Sequence, residues 1–341
     1  MHGAPVTVTL GKGGPRLLPL GLGTWQWGDR TVWGYGRRYG RDDVREALWT
    51  SVAAGVSLID TAEIYGRGRS ERLIGQFLRS IRAPVLVATK FFPFPWRLRE
   101  ADFLRALEGS LERLGRDHID LYQVHWPTPF VPVERLMAWM ANAVERGLVT
   151  HVGVSNFGLE ATRRAHAALA RRGLQLASNQ LPFHLLQRTA ERSGLLSLCR
   201  ELGVAVIAYS PIAQGALSGK YSLARRPPGV RGVTLLPSLA RIEPLLGELR
   251  RIADHHRRTP AQVALRWTIE KGAIPIPGAK NAQQAAENVG ALQFALAPED
   301  VAALDRAADL VDRVRFSGIG RWRRGPGGAG AGDGRSPRSP E

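Results

Sequence analysis

The chain has 341 residues, 44% of them apolar and 23% charged, which excludes a wholly disordered polypeptide and leaves room for one large barrel or two average domains. Its single cysteine, Cys199, excludes a disulfide framework and any cysteine-based zinc or iron–sulfur centre. The net charge of +17 comes mostly from arginine; the arginines are dispersed rather than gathered in one stripe, which argues against a nucleic-acid surface while favouring anionic small ligands through the summed field.

Short apolar runs alternate with amphipathic segments along the chain. Residues 6–10, a turn at Gly11-Lys12-Gly13-Gly14, and residues 16–19 read as a hairpin. Strand-like runs follow at 17–23, 56–60, 85–90, 120–125, 151–155, 177–180, 204–210 and 273–277, eight in all. Helical patterns fill the gaps. After Asp42 and Asp43, Val44, Ala47, Leu48 and Val52 share a face that ends at Gly55; Leu104, Leu107, Leu111 and Leu114 repeat the spacing and stop at Gly115. Cys199 lies in an apolar helical run and reads as a core thiol. Thr259-Pro260 has the form of a cap followed by a first-turn proline, ahead of Val263, Leu265 and Trp267.

Eight strands interleaved with helices over about 300 residues predict an α/β protein, a (β/α)8 TIM barrel with an N-terminal β-hairpin cap. A doubly wound sheet is the alternative, but no dinucleotide fingerprint follows the first strand. Residues 1–320 are expected to form the barrel. Residues 321–341, rich in Gly, Pro and Arg, form an expected disordered tail. The literal G-x-G-x-x-G at Gly325, Gly327 and Gly330 falls in that tail, where no strand precedes it and no helix follows.

In such a barrel the active site lies at the C-terminal ends of the strands. Those ends carry Asp60, Lys90, His125, Ser155-Asn156, Gln180, Tyr209-Ser210 and Gly278, and Tyr65 follows the second strand in the run DTAEIYG. Taken singly, Asp60 could be a cap, Tyr65 a surface anchor and His125 a buried, hydrogen-bonded ring. Lys90 is harder to place so, because a strand end at a barrel mouth would bury an unpaired ammonium, and this chain uses only five lysines (Lys12, Lys90, Lys220, Lys271, Lys280) against 42 arginines. The combination is that of acid catalysis. The ammonium lowers the phenol's pKa, the carboxylate holds the ammonium, and the imidazole orients a carbonyl that receives the phenolic proton. No side chain donates hydride, so a nicotinamide or flavin is required.

These residues stand in motifs that resemble the aldo-keto reductases over nearly all of residues 20–311: GLGTW at Gly21, DTAEIYGRGRSERLIG at Asp60, VLVATK ending at Lys90, DLYQVHWP at Asp120, GVSNF at Gly153, SNQ at Ser178, AYSPIAQGALSGKY at Ala208 and IPIPGAKNAQQAAEN at Ile274. The last two phrases are most similar to the plant-plastid and bacterial branch related to pyridoxal reductase. The resemblance implies a catalytic tetrad of Asp60, Tyr65, Lys90 and His125. It implies that Ser155, Asn156 and Gln180 hold the nicotinamide carboxamide with Tyr209 stacked on the ring, and that Gly23, Thr24, Trp25 and Asp60 also line the cofactor cleft. The pyrophosphate would lie along Ser210, Pro211, Ile212, Gln214, Gly215 and Leu217. The adenosine end would meet Gly278, Ala279, Lys280, Gln284, Glu287 and Asn288, with Lys280 and the helix N-terminus suiting a 2′-phosphate. The implied cofactor is therefore NADP(H), with NAD(H) as the alternative, and no metal.

Trp25, Trp27, Phe92, Trp96 and Trp126 follow strand ends and form the candidate substrate pocket, a wall suited to flat aldehydes or ketones, aromatic ones and pyridoxal included. Arg67 and Arg69, just beyond Tyr65, are candidates for attracting an anionic group. The expected activity is NADPH-dependent reduction of aldehydes or ketones by an oxidoreductase. The rival expectation is an NADPH-binding redox-sensing regulatory subunit with little catalysis, which the presence of Tyr65 and Lys90 disfavours. No apolar stretch approaches the roughly 20 residues of a membrane span, and the first residues lack a signal-peptide layout. A cytoplasmic monomer or weak homo-oligomer is expected, with a small-molecule carbonyl substrate and neither nucleic-acid nor membrane partners.

Overall fold

The computed structural model describes residues 6–222, 225–226 and 239–311. The expected tail from Arg321 and most of the segment 225–237 lie outside the described residues. Two short strands, β1 (Val8–Thr9) and β2 (Arg16–Leu17), pair antiparallel as the expected hairpin. Eight parallel strands follow: β3 (Gly21–Gly23), β4 (Leu58–Asp60), β5 (Leu86–Phe91), β6 (Ile119–Val124), β7 (Val149–Ser155), β8 (Leu176–Pro182), β9 (Ala205–Tyr209) and β10 (Ala273–Ile276). Each pairs with its neighbour in sequence, and a parallel bridge between Gly23 and Gly278, with Gly23 N donating to Pro277 O at 3.0 Å, closes the sheet into a barrel.

The period of two along each strand explains how one barrel holds both a plug and a site. Leu58, Ala88, Leu121, Ile207 and Ile274 point inward and form one apolar cluster with Leu10 and Leu17 of the hairpin. Two residues further along β4, β5 and β6, the inward positions become Asp60, Lys90 and Gln123, all buried. The hairpin thus seals the N-terminal end, tied down by Lys12 N donating to Gly203 O at 2.9 Å. Polar groups line the other end.

The strands' outward faces pack on the helices around residues such as Phe77, Phe103, Tyr122, Met140, Leu249 and Trp267. The helix Glu100–Leu114 ends at Gly115 in the left-handed conformation (φ 63°), as a glycine cap should. Its buried face is Phe103, Ala106, Leu107, Ser110 and Leu114, whereas Leu104 and Leu111 only flank the core, so the expected leucine stripe is rotated toward Phe103. Phe103 fills the space against Phe91 (centroids 5.3 Å apart) and Tyr122 (5.7 Å), which the leucines alone would leave open. The helix Pro260–Glu270 begins as expected: Thr259 Oγ1 accepts from Gln262 N at 3.2 Å while Gln262 Oε1 accepts from Thr259 N at 2.9 Å. Cys199 is fully buried, and burial pushes its thiol up to about 12, so it behaves as core. No helix among the described residues is long and apolar enough to cross a membrane.

Candidate active site

The charged centre is built across three strand ends. Lys90 Nζ, with no exposed surface, reaches Asp60 Oδ1 at 2.6 Å, Thr61 O at 2.7 Å and Tyr65 Oη at 3.5 Å, so its three protons have three acceptors. The other carboxylate oxygen of Asp60 accepts from Gln180 Nε2 at 2.7 Å and, more distantly, from Gln123 Nε2 at 3.5 Å. Below it, Thr24, Thr61 and Ser70 form a buried hydroxyl chain, with Thr24 Oγ1 donating to Asp60 O at 2.8 Å and lying 2.8 Å from Ser70 Oγ. A buried ion pair persists only with such complete satisfaction.

Tyr65 opens a short turn, Tyr65–Gly68, that reverses the chain into the helix Arg69–Leu78. The turn is left-handed at Gly66 (φ 56°), where a Cβ would stand 2.9 Å from the backbone of Gly28; only glycine fits. The loop between β3 and the helix Arg41–Ala53 therefore abuts the turn that carries the phenol. His125 follows β6 and packs edge-on between Tyr65 (centroids 5.9 Å, 80°) and Phe92 (5.5 Å, 74°); its Nδ1 is buried without a partner among the described residues.

Desolvation dominates the electrostatics. Burial lowers the Lys90 pKa against the opposing pull of Asp60. Burial, then the Lys90 charge, holds His125 well below 6.5, so the ring is neutral at pH 7. Tyr65 is held well above 10, by burial first and by the Asp60 charge second. That is the reverse of the lowering expected from a neighbouring lysine. The reason is burial: removing the phenol from water disfavours its charged form, and the nearby Asp60 carboxylate adds to the rise, with the Lys90 ammonium 3.5 Å from the phenolic oxygen. The phenol is thus protonated at neutral pH.

The expected nicotinamide residues meet along the tops of β7 to β9. Asn156, in the left-handed region (φ 64°), donates from Nδ2 to His125 O at 3.1 Å and Ser155 Oγ at 3.0 Å, and its Oδ1 accepts from Tyr209 Oη at 3.0 Å. Ser155 Oγ donates to Gln180 O at 3.0 Å. Gln180, expected at the carboxamide, also spends its amide on Asp60. Beyond β9, Ser210 (φ 52°), Ala213 (φ 48°) and Gln214 (φ 56°) all adopt left-handed conformations ahead of Gly215, while Pro211 and Leu217 turn into the protein. Across the seam, a Cβ on Gly278 would collide with Gln26 Oε1 at 2.0 Å. That oxygen is buried with no partner among the described residues. Asn281 caps the helix Ala282–Val289 by accepting from Gln284 N at 3.0 Å, and Gln284 Oε1 accepts from Lys280 N at 3.0 Å. Glu287 pairs with Lys220 at 2.7 Å, and Asn288 Nδ2 donates to Gly278 O at 3.4 Å. Lys280 Nζ lies over the rings of Trp33 (4.9 Å) and Tyr39 (5.0 Å).

The expected substrate wall divides. Phe92, Phe94 and Trp96 form a series, with Phe92–Phe94 centroids 4.5 Å apart and Phe94 stacked on Trp96 at 4.7 Å, ending at a 70% exposed indole. Trp25 packs edge-on against Trp33, and Trp126 is half-buried after His125. Trp27 does not belong with them: it is fully buried against Phe77, and its Nε1 donates to Ala279 O at 2.8 Å, so it packs core and seam. Thr24, expected at the cofactor, likewise gives its hydroxyl to the network under Asp60. Arg67 and Arg69 are exposed, and Arg69 bonds Gly28 O at 3.2 Å. Sequence reasoning missed Gln26, Gln123, Glu63, Phe94 and Arg97. Gln123 stands two residues before His125 on the inward period and Glu63 two before Tyr65, which are the signals that could have found them.

A sequence model described as the Aldo/keto reductase family matches residues 19–309. The chain is 39% identical over 311 residues to the chloroplastic pyridoxal reductase of Arabidopsis thaliana, covering 87% of this chain and 85% of that protein. It is 43% identical over 296 residues to an uncharacterized oxidoreductase of Mycobacterium tuberculosis, covering 85% and 88%. Among solved structures it is similar to an aldo-keto reductase from Klebsiella pneumoniae in complex with NADPH, with a TM-score of 0.72, 29% identity, and 89% and 95% of the two chains covered. Sequence match, barrel and polar strand ends agree, and the chain belongs to the aldo/keto reductase family of oxidoreductases.

Proposed function

We propose that this protein reduces aldehydes or ketones to alcohols with NADPH, and that Tyr65 gives its proton to the carbonyl oxygen. The observation that carries the reading is a phenol kept protonated beside a fully satisfied Lys90–Asp60 pair, with a neutral imidazole packed on its edge. The chain's features fit the cofactor. A hydroxyl and two amides (Ser155, Asn156, Gln180) stand near the Tyr209 ring, a backbone of unusual conformation follows β9, Gly278 admits no side chain, and the buried Gln26 oxygen lacks a partner. Such strain and unpaired polarity persist where a ligand is meant to complete them. Lys280 beside the capped helix end suits the 2′-phosphate, and the Klebsiella pneumoniae relative bound to NADPH supports the same choice.

When bound, NADPH supplies the hydride that the carbonyl carbon receives. His125 and Tyr65 orient the carbonyl oxygen. As negative charge grows there, Tyr65 gives up its proton and Lys90 stabilises the phenolate left behind. Asp60, itself held by Gln180 and Gln123, keeps Lys90 in place, and the Tyr65 phenolate takes a proton back from water once the alcohol has left.

The test is NADPH consumption by purified protein against nitrobenzaldehyde, an aliphatic aldehyde, methylglyoxal and pyridoxal, with NADH alongside. Tyr65→Phe is expected to cut turnover by on the order of 10²–10⁴-fold while leaving NADPH affinity within about twofold. A Tyr65→Phe enzyme of full activity overturns the assignment. Tight NADPH binding with no turnover of any carbonyl favours the redox-sensing reading instead.

A further inference from the structure

Just above the catalytic turn lies an ion pair that none of the chemistry above uses. Glu63, two residues before Tyr65, has a side chain only 8% exposed. Its Oε1 accepts from Arg97 Nη1 at 2.6 Å and from Phe92 N at 2.6 Å, and its Oε2 accepts from Arg97 Nη2 at 3.1 Å. Arg97 Nη1 also donates to Phe92 O at 2.9 Å. Both backbone groups of Phe92 are therefore bonded to this one pair. The guanidinium lies over the rings of Phe91 (5.4 Å) and Phe94 (5.1 Å), so it packs the wall as well as tethering it. The turn that carries Tyr65 and the loop that carries Phe92, Phe94 and Trp96 are joined here across 34 residues of sequence.

A bidentate carboxylate–guanidinium pair, nearly buried and with further acceptor and donor bonds, fixes direction as well as distance. Exposed pairs do neither. Phe92 in turn packs on His125 at 5.5 Å, so any shift of its backbone moves the wall relative to the imidazole. We propose that Glu63 and Arg97 are positioning residues for substrate selection: the pair holds the Phe92–Phe94–Trp96 wall in register with Tyr65 and His125, and so selects carbonyl compounds carrying a flat aromatic or heteroaromatic ring. This rests on the reading of the site as a carbonyl reductase. Small aliphatic aldehydes, which reach Tyr65 and His125 without needing the wall, are indifferent to it.

The experiment compares wild type with Arg97→Met, which keeps stem volume but removes the fork, and with Arg97→Lys and Glu63→Gln. Steady-state kinetics are run with nitrobenzaldehyde and with propanal, and NADPH affinity and thermal midpoint are recorded for each variant. Arg97→Met is expected to raise KM for nitrobenzaldehyde about tenfold with kcat and NADPH affinity nearly unchanged, and to leave both constants for propanal within about twofold. Arg97→Lys, which makes only part of the contact, falls between wild type and Arg97→Met. Glu63→Gln reproduces the Arg97→Met pattern. Equal losses for both aldehydes, or a fall in kcat at constant KM, overturn the proposal. Turnover-independent binding of nitrobenzyl alcohol, followed by calorimetry, keeps the two readings separable. If wild type reduces nothing, the reductase reading fails. If Arg97→Met binds the aromatic alcohol as tightly as wild type does, the positioning proposal fails.

Discussion

The two ends of this barrel are built from the same strands and obey opposite rules. At the N-terminal end Leu10 and Leu17 of the hairpin complete an apolar layer with Leu58, Leu121 and Ile207, held together mainly by burial of hydrocarbon. At the other end, two residues along, Asp60, Lys90, Gln123 and Gln180 are just as buried yet polar. Each must find a partner or cost the fold free energy. Hydrocarbon burial is thus concentrated in one layer and hydrogen-bonded polarity in the next, and the polar layer is tolerated because the apolar one closes the barrel beneath it.

The strongest test of that division is Lys90→Met. It leaves the Asp60 carboxylate buried and unpaired, so stability should fall by about 3–5 kcal/mol, and turnover should collapse with it. The double variant Asp60→Asn/Lys90→Met should recover most of the stability while staying inactive. Denaturant melts read beside NADPH oxidation check both halves, and a double variant that regains turnover would break the comparison. At the opposite end, Leu10→Ala removes a fully buried side chain and should cost about 2–5 kcal/mol. Its KM and kcat at a temperature where it remains folded should match wild type, and a catalytic defect there would show that the layers are not separate.

Two histidines offer a finer probe. His125 at the mouth is held well below 6.5, and His151 on β7 is also lowered, in both cases first by burial. A histidine whose folded pKa is depressed binds its proton more readily when unfolded. It therefore lowers stability as pH falls below about 6.5, with a slope of up to ~1.4 kcal/mol per pH unit until its folded pKa is passed. His125→Gln should remove more of the acid slope of unfolding free energy between pH 6.5 and 4.5 than His151→Gln does. Equal slopes for the two variants would contradict the stronger desolvation at the mouth.

Much of the fold was legible because the strands obey a local rule. Eight apolar runs predicted eight strands, each found within a few residues of its expected place, and the strand ends read from them included Asp60 and Lys90, both buried in the barrel. Helix ends were legible where a cap marks them, as at Thr259 and Gly115. Features that depend on contacts distant in sequence were not. Trp27 looked like a pocket residue because it follows a strand end, but its indole answers to Ala279, and Phe103 displaced two leucines because its space is set by Tyr122 and Phe91. The Tyr65 phenol is shifted upward rather than downward because burial disfavours its charged form and the Asp60 charge adds to that, a degree of desolvation that no motif encodes. Glu63 could be suspected from its place before Tyr65, but its pairing with Arg97, 34 residues away, is marked by no motif.

The seam between β3 and β10 bears on how the molecule comes into being. Gly23 meets Gly278 there, and the Trp27 indole reaches Ala279 over a separation of 252 residues. Closing so long a loop brings no contacts until the final strand has arrived, so the seam belongs among the last events of folding. A chain emerging from the ribosome can pair β3 to β9 in turn, but the contact between Gln26 and Gly278 does not exist until the last strand docks. During synthesis the protein is then an open sheet with an exposed edge on β3, and its capacity to hold a cofactor appears in a single late step.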